Sequence, residues 1–162
     1  MQILAIAAPA QQTAMYEWLA AAFRTWKPMP YFTAPLAFLF SYPWDEAIHQ
    51  RNLALLDEKI AEWKPNAQER GGGAMVNLLN QREKTMQQIH ASQEDIISFW
   101  HSHWDVPYAH DQTLKTLMAA EKWTEAIEQV KADLQTFAGE YMPCKQRREQ
   151  LILLYQRANQ PD

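Results

Sequence analysis

Cysteine is nearly missing from this chain. Cys144 stands alone, so no internal disulfide can form. A lone cysteine fits a reducing compartment, and the cytoplasm is the expected location. Glycine is scarce too, with four in 162 residues, which disfavours an all-β fold built on many tight turns. No apolar run reaches the ~20 residues of a membrane span. The nearest, residues 31–44, is too short and contains Pro35 and Pro43, so no membrane association is expected. Positive charge is not in excess. The net charge of −4 argues against a dedicated nucleic-acid binder. A phosphate-cradling loop is also missing: Gly71-Gly72-Gly73 has neither the preceding strand nor the following Lys-Ser/Thr of a nucleotide loop. No cofactor is expected.

What remains is an ordinary globular composition, 48% hydrophobic and 21% charged, long enough for a sizeable core in a single helical domain spanning residues 1–162. Residues 1–10 resemble a secretion signal only superficially, because no basic segment leads the apolar run. Residues 2–8 are the one candidate strand. A lone strand needs a partner, which a homodimer would supply.

Helical periodicity dominates the rest. Met15, Trp18, Leu19, Ala22, Phe23 and Trp26 form one stripe, stopped by Pro28. Asp45 is a good N-cap for a helix running to Trp63, with His49, Leu53, Leu56, Ile60 and Trp63 as its seam. Residues 68–73 read as a flexible joint centred on 70–73, about which two helical halves would close on a ligand. A long pattern follows through Met75, Leu79, Met86, Ile89, Ile96, Trp100 and Trp104. Ser92-Gln93-Glu94-Asp95 is a capping signal inside it, so the stretch is two helices or one kinked helix.

Val106-Pro107 forces a break, and Asp111 caps a short helix through Leu114, Leu117 and Met118. Thr124 starts the next, with Ile127, Val130, Leu134, Phe137 and Ala138 inside and Gly139 as its stop. Pro143 opens a last helix that buries Leu151, Leu154, Tyr155 and Ala158. Residues 119–127 resemble the hairpin of a tetratricopeptide-type unit, but Glu121 occupies the position of the usual turn glycine. No internal repeat accompanies it, so it is read as a generic helical hairpin. The expected fold is an all-α, irregular bundle of six or seven helices with a Pro/aromatic-rich crossing segment.

Chemistry concentrates in Phe99-Trp100-His101-Ser102-His103-Trp104-Asp105-Val106-Pro107-Tyr108-Ala109-His110-Asp111, which holds three of the five histidines. On a helix His101 and His103 are turned about 200° apart, so both cannot reach one ion. His90 and Glu94 lie one helical turn apart. With His49, His101 and Asp105 they make the candidate ligand or base set for a metal-dependent or small-ligand enzyme whose pocket lies between helices. Glu46 and His49 form a single Glu-x-x-His, where di-iron bundles use the motif in pairs. His101–Asp105 and His110–Asp111 are possible acid–base pairs. The simpler reading makes the two aspartates a turn residue and a helix cap. Cys144, at a helix start beside Lys145, Arg147 and Arg148, has the surroundings of an activated thiol, but no histidine is fixed beside it.

The leading expectation is a protein-binding module, of adaptor, chaperone-like or toxin-neutralising type. It would present Tyr31, Phe32, Tyr42, Trp44, Trp104 and Tyr108 to another protein. Tyr and Trp suit interfaces because one end is apolar and the other hydrogen-bonds.

Overall fold

The computed structural model describes residues 9–26, 34–64 and 72–159. Among these, eight helices and no strand are found: α1 (Pro9–Thr25), α2 (Ala34–Ser41), α3 (Glu46–Trp63), α4 (Gly72–Gln88), α5 (Gln93–His101), α6 (Pro107–Ala119), α7 (Trp123–Thr136) and α8 (Tyr141–Ala158). No described helix is long and apolar enough to cross a membrane. The all-α class expected from periodicity holds, with eight helices where six or seven were expected. The candidate strand at residues 2–8 lies outside the described residues.

The chain divides into two compact units between His90 and Ala91. The break has a local cause. Helix α4 ends at Gln88, and His90 takes a left-handed φ of 56°, the turn conformation that commonly ends a helix. Ser92 then starts α5 with a reciprocal cap: Asp95 N–H donates to Ser92 Oγ (3.1 Å), and Ser92 N–H donates to an Asp95 carboxylate oxygen (3.2 Å). The long periodic stretch is therefore two helices. Of the glycine run read as a joint, Gly72 and Gly73 belong to the first turn of α4, and Gly71 lies outside the described residues.

In the first unit, Asp45 caps α3 by accepting from Ile48 N–H at 2.8 Å. His49, Leu56, Ile60 and Trp63 are buried as their spacing requires, while Leu53 is half-buried. Helix α2 is the unexpected element. Pro35 is its second residue, where a helix needs no N–H donor, so the ring costs nothing and presets φ. Helix α1 buries Tyr16, Leu19, Ala20 and Phe23. Met15 is only half-buried, and Trp18 and Ala22 face outward. The expected stripe was thus rotated by part of a turn.

The second unit packs α5 against α6, and α6 and α8 against α7. Ile97, Leu114, Leu117, Ala126, Ile127, Val130 and Leu154 form its apolar centre. Helix α6 starts at Pro107 with no side-chain cap, so Asp111 sits inside the helix and does not cap it. Helix α7 begins at Trp123, one residue before the expected Thr124. The turn before it holds Glu121 at φ 56°. This is the position where a hairpin glycine was missed in the sequence, and the left-handed conformation costs a non-glycine residue about 1–2 kcal/mol. On α8, Leu154 is buried and Leu151 half-buried, but Tyr155 and Ala158 are exposed, contrary to the expected seam.

Candidate functional site

The most connected polar group in the second unit is buried at the meeting of α6, α7 and α8. His110 enters from the first turns of α6, carried inward on the same face as Thr113, Leu114 and Leu117. Asp133 comes from α7 and is fully buried. Its Oδ1 lies 2.6 Å from His110 Nδ1 and accepts from Gln129 Nε2 at 2.7 Å. Gln129 is one helical turn away on the same strip of α7.

Arg147 of α8 brings Nε to 2.8 Å from Asp133 Oδ2, close enough for charge attraction although the N–H is not aligned as a hydrogen bond. Its two Nη groups donate outward, to Asp111 Oδ1 at 2.7 Å and to Gln150 Oε1 at 2.8 Å. His110 Nε2 faces the Trp104 carbonyl oxygen at 3.0 Å. The indole of Trp104 covers the imidazole, with ring centroids 3.7 Å apart.

A general base must reach the proton it abstracts. Here both ring nitrogens of His110 already face acceptors, and one face of the ring lies under Trp104. Asp133 is likewise spent on three neighbours. The arrangement is a polar pin joining three helices, with no accessible nucleophile or acid. Of the candidate acid–base pairs, the structure pairs His110 with Asp133 and gives Asp111 to Arg147. His101 is exposed and stacks on Trp104 at 4.9 Å. Cys144, half-buried, donates to the Phe137 carbonyl oxygen at 3.1 Å.

Sequence reasoning missed Gln129 and Asp133, and took Arg147 only as a cation beside Cys144. One signal was present: Ala126, Gln129, Val130 and Asp133 follow helical spacing. Polar residues in phase with an apolar seam must find partners, because burial without them is costly.

The metal candidates are dispersed. Among the described residues, no group of three or more His, Cys, Asp or Glu could hold an ion. His90 lies in the turn after α4 and Glu94 in the first turn of α5, so no continuous helix aligns them. Glu94 pairs with Lys122 at 3.1 Å, and the hydrogen bond from that ammonium holds its carboxyl below the ordinary range. Asp105 is exposed in the turn after α5.

His49 is buried in the first unit, with Nδ1 unpaired among the described residues. Burial pushes its pKa down, against the opposing pull of Asp45 and the Trp44 backbone. A histidine whose folded pKa lies below its unfolded value adds stability that is complete above the unfolded pKa of about 6.5 and is lost as pH falls from there. The urea midpoint of the first unit should therefore drop between about pH 7.5 and pH 5.5, and should drop less in His49→Gln. Equal drops in the two proteins would count against a buried neutral His49.

Of the expected partner-binding aromatics, Tyr31 and Phe32 lie outside the described residues. Trp44 is buried, and its indole N–H donates to the Leu39 carbonyl oxygen at 2.6 Å, so its ring serves the core and cannot anchor a partner. Tyr42, Trp104 and Tyr108 are half-buried. A small cleft of about 90 Å³ opens in the first unit beside Phe23, Leu55 and Lys59. It is several-fold smaller than common small-molecule sites. The Lys59 ammonium there is already taken by the Arg24 carbonyl oxygen and Glu62, each at 2.8 Å.

The large apolar side chains left in solvent lie elsewhere. Trp18 on α1 is 67% exposed, and on α8 Ile152 is 60%, Leu153 58% and Tyr155 43% exposed. Compared with protein-family models, curated proteins and solved structures, the chain matches none.

Proposed function

We propose that this chain is a protein-binding module, a helical scaffold that presents apolar side chains to a partner protein. The observation that carries the reading is the outward face of α8, where Ile152, Leu153 and Tyr155 stand in solvent. Clustered apolar exposure marks interaction surfaces. The groups best suited to catalysis, His110 and Asp133, are consumed inside the second unit, which favours binding over chemistry. The partner surface expected from the sequence thus shifts from Trp44 to α8.

Native mass spectrometry of the untagged protein, purified gently from its own host without chelator, tests this. A stoichiometric complex with one polypeptide is the expected result. A chain carrying only a metal or small-molecule mass would overturn the reading in favour of a ligand-dependent enzyme.

A further inference from the structure

The charges around the exposed apolar residues of α8 specify what kind of surface would cover them. Along α8, Arg147, Leu151 and Leu154 turn toward the second unit. At about 100° per residue, the opposite arc is centred on Lys145, Glu149, Ile152 and Gln156. Arg148 and Tyr155 form one shoulder of that arc, and Leu153 and Arg157 the other. Lys145, Arg148 and Arg157 are all exposed. None of the three has an ion-pair partner among the described residues, unlike Arg24, Arg51, Arg82, Lys122 and Lys131. Beside Tyr155, Lys131 of α7 adds a fourth cation, in hydrogen-bond reach of the tyrosine side chain. Glu149 is the one acidic residue on this arc. A chain with net charge −4 therefore gathers cations, three of them without an ion-pair partner among the described residues, around the exposed apolar side chains of α8.

We infer that the outer face of α8 docks an acidic amphipathic helix of another protein, an inference that rests on the binding-module reading. Apolar side chains of that helix at i, i+3, i+4 and i+7 would cover Ile152 and Tyr155, which lie within about 60° of each other on α8, the helix-on-helix mode of peptide recognition. Its Asp and Glu would meet Lys145 and Arg148, which precede Ile152 on the same stripe.

A second copy of the chain fits less well. Its α8 would bring the same cations and only Glu149 as an acidic residue on that arc, so it cannot neutralise them. An anionic membrane fits less well too, because the protein as a whole is acidic and the face offers only two aliphatic side chains and one tyrosine for insertion.

The test is a selection of displayed helical peptides of random charge against the full chain. The strongest binder is then measured by fluorescence anisotropy on the wild type, Ile152→Asp and Arg148→Glu. Both substitutions fall on exposed side chains, so circular dichroism and thermal unfolding should remain as in the wild type. Acidic amphipathic peptides should be enriched, and each variant should weaken binding about 10-fold or more.

Enriched peptides that are basic or extended, or that bind Ile152→Asp as tightly as the wild type, overturn the α8 assignment and leave the binding-module reading standing. Enrichment of no peptide overturns the assignment as well. If native mass spectrometry then finds only a small-molecule adduct, the module reading falls with it. Co-sedimentation with 7:3 phosphatidylcholine–phosphatidylserine vesicles, or a dimer in light scattering, overturns the assignment in favour of lipid or a second copy if Ile152→Asp abolishes it.

Discussion

Asp133→Ala is expected to destabilise the second unit by about 3–5 kcal/mol, the range for breaking a buried ion pair from one side. The cause is what the substitution leaves behind. Asp133 Oδ1 faces His110 and Gln129, and Oδ2 lies against Arg147. Without the carboxylate, the buried guanidinium keeps only the exposed Asp111 as a counter-charge, and two further polar groups lose an acceptor in a dry environment.

Urea unfolding followed by the fluorescence of Trp100 and Trp104 would measure the effect. A companion variant separates the cost of orphaned groups from the worth of the bonds themselves. Asp133→Leu combined with His110→Phe and Arg147→Met removes the carboxylate with its His110 and Arg147 partners, leaving Gln129 alone without its acceptor, and should recover much of the lost stability, as replacement of buried ion pairs by apolar groups often does. A loss below about 1 kcal/mol in Asp133→Ala, the range of an exposed pair, would show that the network is solvated and does not pin the helices.

The second large effect is expected at Trp100, which is fully buried on α5. Its ring packs on Phe99 at 5.0 Å and edge-on to Tyr108 at 5.9 Å. Trp100→Ala should cost about 3–5 kcal/mol, combining lost transfer free energy with the cavity left among neighbours that cannot fully collapse. The indole N–H, however, has no acceptor among the described residues. Trp100→Phe deletes that unpaired donor while keeping most of the apolar volume, so its cost should stay under about 2 kcal/mol. Equal losses for the two variants in urea titrations would mean that the indole nitrogen is hydrogen-bonded after all.

The exposed face of α8 illustrates where periodicity stops being informative. Residues 151–155 are apolar at every position, so any seam drawn through them passes through plausible core residues. The expected seam took Leu151, Leu154, Tyr155 and Ala158, and the structure keeps only the first two. Helix α1 repeats the lesson. Met15, Trp18 and Ala22 share its apolar register with Tyr16, Leu19, Ala20 and Phe23, and both stripes satisfy a 3.6-residue repeat. Only the position of α2 and α3 decides which stripe is covered. Trp44 was misread for a related reason: an aromatic residue amid prolines looks like a surface anchor, yet its indole N–H finds the Leu39 carbonyl oxygen and goes inside.

Local chemistry, by contrast, was legible. Asp45, Ser92 with Asp95, and the left-handed glycine at residue 139 act over a few residues, and caps and stops need nothing beyond a neighbouring turn to take effect. The missed helix α2 belongs to the same class. Pro35 reads as a breaker when its place in the helix is unknown, and as an N-terminal residue once that place is known.

The sequence by itself determined the all-helical class, several of the helix ends, the impossibility of an internal disulfide and the capping signal at Ser92. Each of these follows from composition or from interactions closed within about four residues. The tertiary structure alone decided that His110 pairs with Asp133, 23 residues away, and Asp111 with Arg147, 36 residues away. It also decided which apolar stripe of each helix meets a neighbour and which stays in solvent. A helix fixes the spacing of its side chains, but what each side chain faces is set by how separate helices pack, and that depends on many residues distant in the chain.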